Sequence, residues 1–368
     1  MTKDKHQPDY FLLVLIGLIL IIGLVFLNSA SSVMGYKMFK NSFYYLWHQL
    51  LVGVLPGILL FILLYNLKLE TIKKLSNIAL LIGLALLLAV FLPGIGIKYG
   101  EAQRWINLGI FSFQPVEIFK LCLIIFLANF FSRREREMNN FYQTILPFLL
   151  IAVISVVPII FQKNFSAVVI VFAIALAIFW VAGGGWITIA GIFSLGLIGI
   201  IFLIIKEPYR LNRIISFLNP SVDTQGLSYH VQQALIGIGS GGILGLGPGY
   251  SRQKFFFLPE SFGDSIFAII AEEMGFIFTS LIIILFFLLI WRALKVAKNT
   301  GEPFSRLLAV GIAVWLGLQT IINMGGMLGI LPITGIPLPL VSYGGSAMLA
   351  NLAALGLLVN ISKGTNLD

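Results

Sequence analysis

The chain has 368 residues, of which 59% are hydrophobic and 11% are charged. A soluble domain of this size does not need so much apolar sequence, and repeated apolar runs of about 20 residues are the signature of membrane-spanning helices. The net charge of +9 does not require a nucleic-acid partner, because basic residues of membrane proteins concentrate at cytoplasmic loop ends and anionic headgroups. The composition therefore predicts a multi-pass membrane protein in contact with membrane lipids, with no nucleic acid bound.

Ten apolar segments follow one another along the chain, and each is interpreted as a membrane span. They cover approximately residues 10–28, 46–65, 76–93, 114–132, 144–162, 166–183, 186–205, 265–291, 304–328 and 341–361. The first segment has no convincing cleavage site after it, so it is interpreted as a retained helix rather than a signal peptide. We predict an all-α polytopic membrane protein with about ten transmembrane helices, forming a single domain over residues 1–368.

The distribution of lysine and arginine predicts the orientation of these spans. An even number of spans puts both termini on the same side of the membrane. If that side is the cytoplasm, the inside segments carry thirteen lysine and arginine residues, and the short outside loops carry five. Cytoplasmic loops are enriched in these residues, so we predict that both termini are cytoplasmic.

The connection between the seventh and eighth spans is much longer than the others. It covers approximately residues 206–264, faces outside in this topology and includes the glycine-rich stretch SGGILGLGPGY. Long connections with this much local character are usually functional. The stretch GIGSGG (237–242) matches a dinucleotide-binding pattern but lacks the strand–turn–helix context that such a site requires. The three histidines are too scattered to form a metal cluster, so no protein metal site is predicted.

Ionisable residues at the start of the fourth span form the first candidate site. Glu117 and Lys120 are three residues apart, so on a helix they share a face and can form an ion pair. A functional role is the default for ionisable groups in a span, and a structural ion pair between helices is the alternative. Arg104, in the preceding outside loop, can converge on the same pocket.

Farther along, Glu272 and Glu273 point about 100° apart on the eighth span, and structural and functional roles are equally open for them.

Asp264 stands directly before the eighth span, at its predicted outer boundary. Its carboxylate can cap the helix by accepting backbone N–H bonds, or it can act as a general base. The residues alone leave both interpretations open.

A proline-rich segment, LPITGIPLPLVSYGGS (331–346), precedes the last span. Its prolines and glycine forbid a regular helix, which predicts a bent segment that feeds the tenth span. Irregular backbone at membrane depth is tolerated only against protein or a watery cavity. We therefore expect Ser342, Tyr343 and Ser346 to line such a cavity, with a simple turn and helix start as the alternative.

Several long stretches, in this order, resemble the SEDS family (shape, elongation, division and sporulation) of FtsW, RodA and SpoVE. They are NSASS (28–32), QRWINLGIFSFQPVEIFKL (103–121), YHVQQALIGIGSGGILGLGPGYSRQKFFFLPE (229–260), DSIFAIIAEEMGF (264–276) and PITGIPLPLVSYGGS (332–346). The resemblance covers essentially the whole chain, and GPGYSRQK is more similar to FtsW and the sporulation branch than to RodA. It implies a ten-helix peptidoglycan glycosyltransferase in the bacterial inner membrane. Such enzymes polymerise lipid II for septal and cell-wall synthesis, release undecaprenyl pyrophosphate and work with a class B penicillin-binding protein.

The resemblance also implies roles for individual residues. The family's essential aspartate, which follows its LPE motif, corresponds to Asp264 and favours the general base over the helix cap. The family's glutamate and lysine in the fourth span correspond to Glu117 and Lys120, and its loop arginine to Arg104. A leaving pyrophosphate needs positive charge, supplied by protein cations and optionally by a divalent Mg²⁺ or Mn²⁺ ion. The candidate substrate-binding residues are Arg104, Glu117, Lys120, Arg252, Lys254, Ser342 and Ser346.

Two stretches depart from the family's pattern. In LPESFGDSI, Phe262 and Gly263 replace a common histidine and threonine, and Ser265 replaces an aromatic residue. The stretch QKNFS (162–166) lacks the usual proline and aspartate. Two other functions compete with polymerisation: a lipid II flippase, which needs charges along a path across the bilayer, and a non-catalytic scaffold, which would tolerate loss of Asp264.

Overall fold

The computed structural model describes residues 7–100, 102–109, 111–218 and 226–365. Within these ranges the chain is mostly helical. Its first part contains α1 (Tyr10–Phe39), α2 (Tyr44–Asn66), α3 (Leu69–Lys74), α4 (Ser76–Ala89), β1 (Gly96–Tyr99), β2 (Ala102–Asn107), β3 (Ser112–Phe113), α5 (Pro115–Ser132) and α6 (Phe141–Phe161). Its second part contains α7 (Phe165–Val181), α8 (Trp186–Lys206), α9 (Pro208–Leu218), α10 (Leu227–Ser240), α11 (Ile266–Asn299), α12 (Pro303–Met327) and α13 (Gly345–Ser362).

Among the described residues, eight helices are long and apolar enough to cross a membrane: α1, α2, α5, α6, α8, α11, α12 and α13. Two shorter apolar helices, α4 and α7, coincide with the other two predicted spans. Helices satisfy their own backbone hydrogen bonds, as the hydrocarbon region requires. The chain is therefore a multi-pass membrane protein, as its composition predicts.

Helices α5, α12 and α13 form the interior of the bundle. In their most apolar windows, 78%, 78% and 83% of the residues are buried inside the protein, compared with 6% in α8. Helix α8 therefore presents almost all of its surface outward, where an apolar helix meets lipid. The three interior helices are the ones that can carry buried polar side chains, because other helices shield those side chains from lipid.

Two helices extend well beyond their predicted spans. Helix α1 continues from the predicted end near residue 28 to Phe39, and α11 continues from about residue 291 to Asn299. Hydropathy detects only the apolar part of a helix, so a helix that continues past the hydrocarbon region ends later than its span.

Residues 94–113 contain a small antiparallel sheet with strand order β1-β2-β3, which the all-α prediction did not include. Gly96 pairs with Ile106, and Ile106 also pairs with Phe113 on the other side. The strands have only two to six residues, too few to produce a clear alternating pattern in the sequence. The sheet satisfies the backbone groups of this loop and fixes the position of Arg104 on β2.

Helix α11 is interrupted at Gly275, whose φ of 71° and ψ of −173° lie outside the helical region. The glycine-rich loop of residues 241–247 supplies hydrogen bonds at the interruption. The N–H of Leu246 donates to the Glu272 carbonyl, and the N–H of Phe276 donates to the Gly242 carbonyl. The loop thus satisfies backbone groups that the broken helix leaves unpaired.

This contact between the loop and α11 requires glycine on both sides. A Cβ atom added to Gly245 would lie 2.2 Å from the Glu273 carbonyl oxygen, and one added to Gly275 would lie 2.3 Å from the Gly245 nitrogen. Both glycines also have positive φ angles. The glycine-rich stretch therefore allows two backbone segments to approach closely, which accounts for its composition without a nucleotide.

Candidate functional site

Asp264 lies in the loop just before α11 and lines a narrow cleft. The other walls come from the end of α12, including Asn323, and from residues 333–336 of the proline-rich segment. Ser265 occupies the N-cap position of α11, and no side chain caps this helix. Asp264 therefore does not cap α11 and instead lines the cleft.

The surroundings of Asp264 favour its neutral form. Burial raises its pKa to about 7, and the negative charge of Glu260 acts in the same direction. The backbone of Asp264, the Ser265 hydroxyl and the positive charge of Arg213 lower the pKa by less. A carboxyl group whose pKa is close to neutral can accept and release a proton readily, as a general base must.

Two amide side chains of α12 fix the walls of this cleft. Asn323 Nδ2 donates to the carbonyl oxygens of Asp264 and Ile336, at 2.7 and 2.8 Å. One turn earlier, Gln319 Nε2 donates to the carbonyl oxygen of Pro337 at 2.9 Å. Residues four apart lie on the same helix face. One face of α12 therefore holds both the backbone of Asp264 and the proline-rich segment, which is non-helical as predicted.

Glu117 and Lys120 form the ion pair that their spacing predicts. The Nζ atom of Lys120 lies 2.8 Å from Glu117 Oε2 and 3.3 Å from Gln319 Oε1, and 4.8 Å from the ring centroid of Trp315. Both charged side chains are buried. The pair connects α5 to α12 and, through Gln319, to the proline-rich segment. It does not line the Asp264 cleft but belongs to the network that supports the cleft.

Arg104 contacts the end of α6. Its Nε atom donates to the Gln162 carbonyl at 3.3 Å, and its Nη2 atom donates to the Lys163 carbonyl. The last carbonyls of a helix have no partner within the helix and carry partial negative charge. Arg104 therefore ties the small sheet to the carbonyl end of α6.

Lys254 is not exposed to a substrate. Its Nζ atom lies 3.0 Å from Glu273 Oε1 and also donates to Ser29 Oγ at 3.2 Å, and the side chains of Lys254 and Glu273 are both buried. Arg252, two residues earlier, is exposed. Of these two candidates for binding a diphosphate, the structure leaves Arg252 accessible.

Ser342 and Ser346 were expected to line a cavity, but both are buried and bonded to backbone. Ser342 Oγ accepts the Leu338 N–H at 2.8 Å, and Ser346 Oγ accepts the Gln114 N–H at 2.9 Å. A bent, proline-rich segment leaves backbone donors unpaired, and hydroxyl groups satisfy them. These two serines stabilise the segment rather than face an open space.

Glu272 and Glu273 both hold the loop of residues 251–254 against α11. Glu272 accepts hydrogen bonds from the Ser251 hydroxyl at 2.5 Å and from the backbone N–H of Arg252 at 3.0 Å. Glu273 forms the ion pair with Lys254. The structure thus favours the structural role for both carboxylates.

Two residues near Asp264 were not singled out from the sequence. Arg213 on α9 donates from Nη1 to the Ile333 carbonyl at 3.1 Å, which places a cation at the cleft wall. His230 on α10 lies with Nε2 2.6 Å from Ser265 Oγ. Both belong to the long connection, tens of residues before Asp264, and no local spacing in the sequence indicates that they approach it.

Known proteins of similar sequence cover the whole chain. The family model described as Cell cycle protein, for FtsW, RodA and SpoVE, matches residues 10–367. The chain is 37% identical over 363 residues to stage V sporulation protein E of Bacillus subtilis, covering 99% of each. It is 38% identical over 360 residues to the probable peptidoglycan glycosyltransferase FtsW of Methylococcus capsulatus, covering 97% of this chain and 90% of the relative.

Solved structures share the same fold. One, described as structural coordination of polymerization and crosslinking by a peptidoglycan synthase complex, has a TM-score of 0.78 at 27% identity and covers 96% of this chain and 97% of its own. The rod shape determining protein RodA of Thermus thermophilus has a TM-score of 0.72 at 27% identity and covers 98% of both chains. Fold and site therefore define a polytopic membrane protein of the RodA type. The chain belongs to the FtsW, RodA and SpoVE family.

Proposed function

We propose that this chain is a peptidoglycan glycosyltransferase that polymerises lipid II into glycan strands at the outer face of a bacterial inner membrane. The observation that carries the proposal is the position of Asp264, which lines a cleft and whose backbone is fixed there by Asn323. Burial at this position raises its pKa to about 7. The family membership of the chain and the names of its relatives support the same activity.

In this reaction Asp264 takes the proton from the acceptor sugar hydroxyl. The hydroxyl oxygen bonds to the anomeric carbon of the donor, and the bond from that carbon to the phosphate oxygen breaks. The electron pair leaves with undecaprenyl pyrophosphate. A positioned general base contributes about 10²- to 10⁴-fold to such a rate.

Positive charge is needed where the pyrophosphate leaves. We assign this role to Arg213, which lies at the cleft wall, and to Arg252, which is exposed, because Lys120 and Lys254 are engaged by buried carboxylates. In this proposal Arg104, Lys120 and Lys254 do not contact the substrate; each holds a segment of the protein in place.

A divalent cation, Mg²⁺ or Mn²⁺, is an optional part of this proposal. No group of three or more histidine, cysteine, aspartate or glutamate side chains suited to a metal occurs in the described part of the chain. Mg²⁺ that bridges substrate phosphates commonly needs only one or two carboxylates. In this proposal the diphosphate oxygens and water supply the ligands of the ion, which would neutralise charge on the diphosphate, and Asp264 stays free to act as the base.

The proposed partner is a class B penicillin-binding protein. The similarity to a chain from a peptidoglycan synthase complex supports this pairing, and the FtsW-named relatives favour a role in cell division. In the proposed topology both termini are cytoplasmic, which agrees with the excess of lysine and arginine in the inside segments.

Purified wild-type protein in vesicles that contain lipid II, with and without the partner, tests this function against the flippase alternative. We expect glycan strands and released undecaprenyl pyrophosphate. The same vesicles report lipid II movement between leaflets. Lipid II movement without any polymer, in the presence of the partner, would contradict the proposal and favour a transporter.

A further inference from the structure

The Ser265 hydroxyl lies at the centre of three contacts next to Asp264. Its Oγ atom is 2.6 Å from His230 Nε2, 2.8 Å from the Pro259 carbonyl oxygen and 3.4 Å from Asp264 Oδ1. Ser265 has no exposed surface, so bulk water does not compete for these contacts. The hydroxyl therefore lies between the imidazole of α10 and the carboxylate beside the cleft, and the shorter of its two contacts with acceptor oxygens is the one to the Pro259 carbonyl.

Ser265 is the side chain in this loop that can donate a hydrogen bond to Asp264. The two residues before Asp264, Phe262 and Gly263, have no side-chain donor. The hydroxyl of Ser261 points to the Ala30 carbonyl at 3.5 Å. Within this loop, a hydroxyl donor for the carboxylate therefore comes from the residue that follows it.

The direction of the Ser265 hydroxyl depends on His230. A hydroxyl has one hydrogen to donate. If Nε2 of the imidazole accepts that hydrogen, none remains for Asp264. If Nε2–H instead donates to Ser265 Oγ, the hydroxyl hydrogen is shared between the Pro259 carbonyl and the Asp264 carboxylate, and a charged carboxylate is the stronger acceptor.

His230 is neutral at neutral pH. Burial lowers its pKa to about 4, and the positive charge of Arg213 on α9 acts in the same direction. On the other side of the hydroxyl, Glu260 is the charged group that raises the pKa of Asp264. The remaining elements around the carboxylate contribute Asn323 on α12 and uncharged residues at 333–336, while Glu272 and Glu273 lie farther along α11 and hold the 251–254 loop.

We propose that His230 is a positioning residue, which donates to Ser265 and thereby directs the Ser265 hydroxyl to the Asp264 carboxylate. The hydroxyl then orients the general base and stabilises its charged form before the reaction. When Asp264 takes the proton from the acceptor sugar, the hydroxyl returns to the Pro259 carbonyl, so neither state leaves the buried hydroxyl unpaired. This role in catalysis rests on the proposed function, but the hydrogen-bond pair can be tested without activity.

Infrared difference titration of the full-length protein tests the pair directly. The carboxyl band of Asp264 is identified by its absence in Asp264→Asn, and its pKa is then measured in Ser265→Ala, His230→Leu and His230→Gln. We expect the first two changes to raise the pKa by roughly half to one unit, since each removes a hydrogen bond to the charged form. The amide of His230→Gln can still donate to Ser265, so this variant should stay close to the wild type.

Ser261→Ala is the matched control, because it removes a hydroxyl from the same loop without touching Asp264. Equal pKa values in wild type, Ser265→Ala and His230→Leu would overturn the proposal, as would equal shifts in His230→Leu and His230→Gln. If Ser265→Ala does not fold, the comparison of His230→Leu with His230→Gln still tests the proposal. The acidic limb of the pH–rate profile for polymerisation should move to higher pH in Ser265→Ala and His230→Leu and stay close to the wild type in His230→Gln. A wild-type protein that shows these titrations but makes no polymer would refute the proposed function and leave the pair standing.

Discussion

Asp264, Glu272 and Glu273 lie within ten residues of sequence, yet each carboxylate meets a different partner. Asp264 lines a cleft, Glu272 accepts from the Ser251 hydroxyl and the backbone of residues 252–253, and Glu273 is paired with Lys254. Their partners come from other parts of the chain, so the sequence around them left their roles open. The family resemblance selected Asp264 as the base, and the observed contacts agree with structural roles for the two glutamates.

The buried ion pair of Glu117 and Lys120 should contribute to the stability of the fold rather than to direct contact with substrate. Removing one partner of a buried pair leaves an uncompensated charge, which costs about 3–5 kcal/mol. We expect Lys120→Met to lower the free energy of unfolding by this amount, and adding Glu117→Gln to recover part of it. Thermal unfolding in detergent measures both changes.

Lys73→Met is the control for this experiment, because the Lys73–Glu302 pair is partly exposed to solvent and should contribute at most about 1 kcal/mol. A Lys120→Met protein that is fully stable but inactive would contradict the structural role and favour direct contact with substrate.

Replacing Glu260 should change the pH dependence of activity. The Glu260 charge makes ionisation of Asp264 less favourable and so raises the pKa of Asp264. Glu260→Gln removes this charge, so the pKa falls and the acidic limb of the polymerisation rate moves to lower pH. Because Glu260 is exposed, the shift should be only a few tenths of a unit. A limb that moves to higher pH would contradict this assignment of the charge effect.

At the level of elements, the sequence located the spans well and the irregular parts poorly. Long apolar runs produce a strong hydropathy signal, which explains why each predicted span coincides with an apolar helix. The short strands around Arg104 and the interruption at Gly275 depend on contacts between segments distant in sequence, which local patterns do not contain. The glycine-rich composition of the 241–247 loop is evident from the sequence, but its contact with α11 is not.

The interruption of α11 gives a second stability prediction. Gly275→Ala forces a side chain into a left-handed conformation and against Gly245, so it should cost at least about 1–3 kcal/mol. Gly239→Ala, in α10 with open space around it, should be neutral or slightly stabilising. Thermal unfolding of the two variants compares them directly. Equal stability would show that the break does not require glycine.

At the scale of the whole molecule, the candidate site combines elements that the sequence separates widely. Asp264 precedes α11, Asn323 lies on α12, and His230 and Arg213 belong to the long connection before α11. The resemblance assigned roles to Asp264, Glu117, Lys120 and Arg104, and the spacing predicted the Glu117–Lys120 pair, but the sequence did not give the other contacts of these residues. The cleft depends on how α12 packs against the proline-rich segment, and that arrangement is a property of the folded bundle.

The predicted orientation can be tested by cysteine labelling. Cys122 is the single cysteine of the chain and is buried in α5, so Cys122→Ala gives a suitable background. Lys98→Cys, in an exposed part of the small sheet, should react with a membrane-impermeant reagent in intact cells. Gly301→Cys, between α11 and α12, should react only after lysis. The reverse pattern would contradict cytoplasmic termini.

The central claim is that Asp264 is the general base of lipid II polymerisation, and Asp264→Asn tests it most directly. This change keeps the size of the side chain and removes its ability to take a proton. Polymerisation by the purified protein with its partner should fall by about 10²-fold or more, while unfolding temperature and partner binding remain normal. Glu260→Gln, the neighbouring carboxylate, should remain active under the same conditions. A folded Asp264→Asn protein that polymerises lipid II at the wild-type rate would contradict the account.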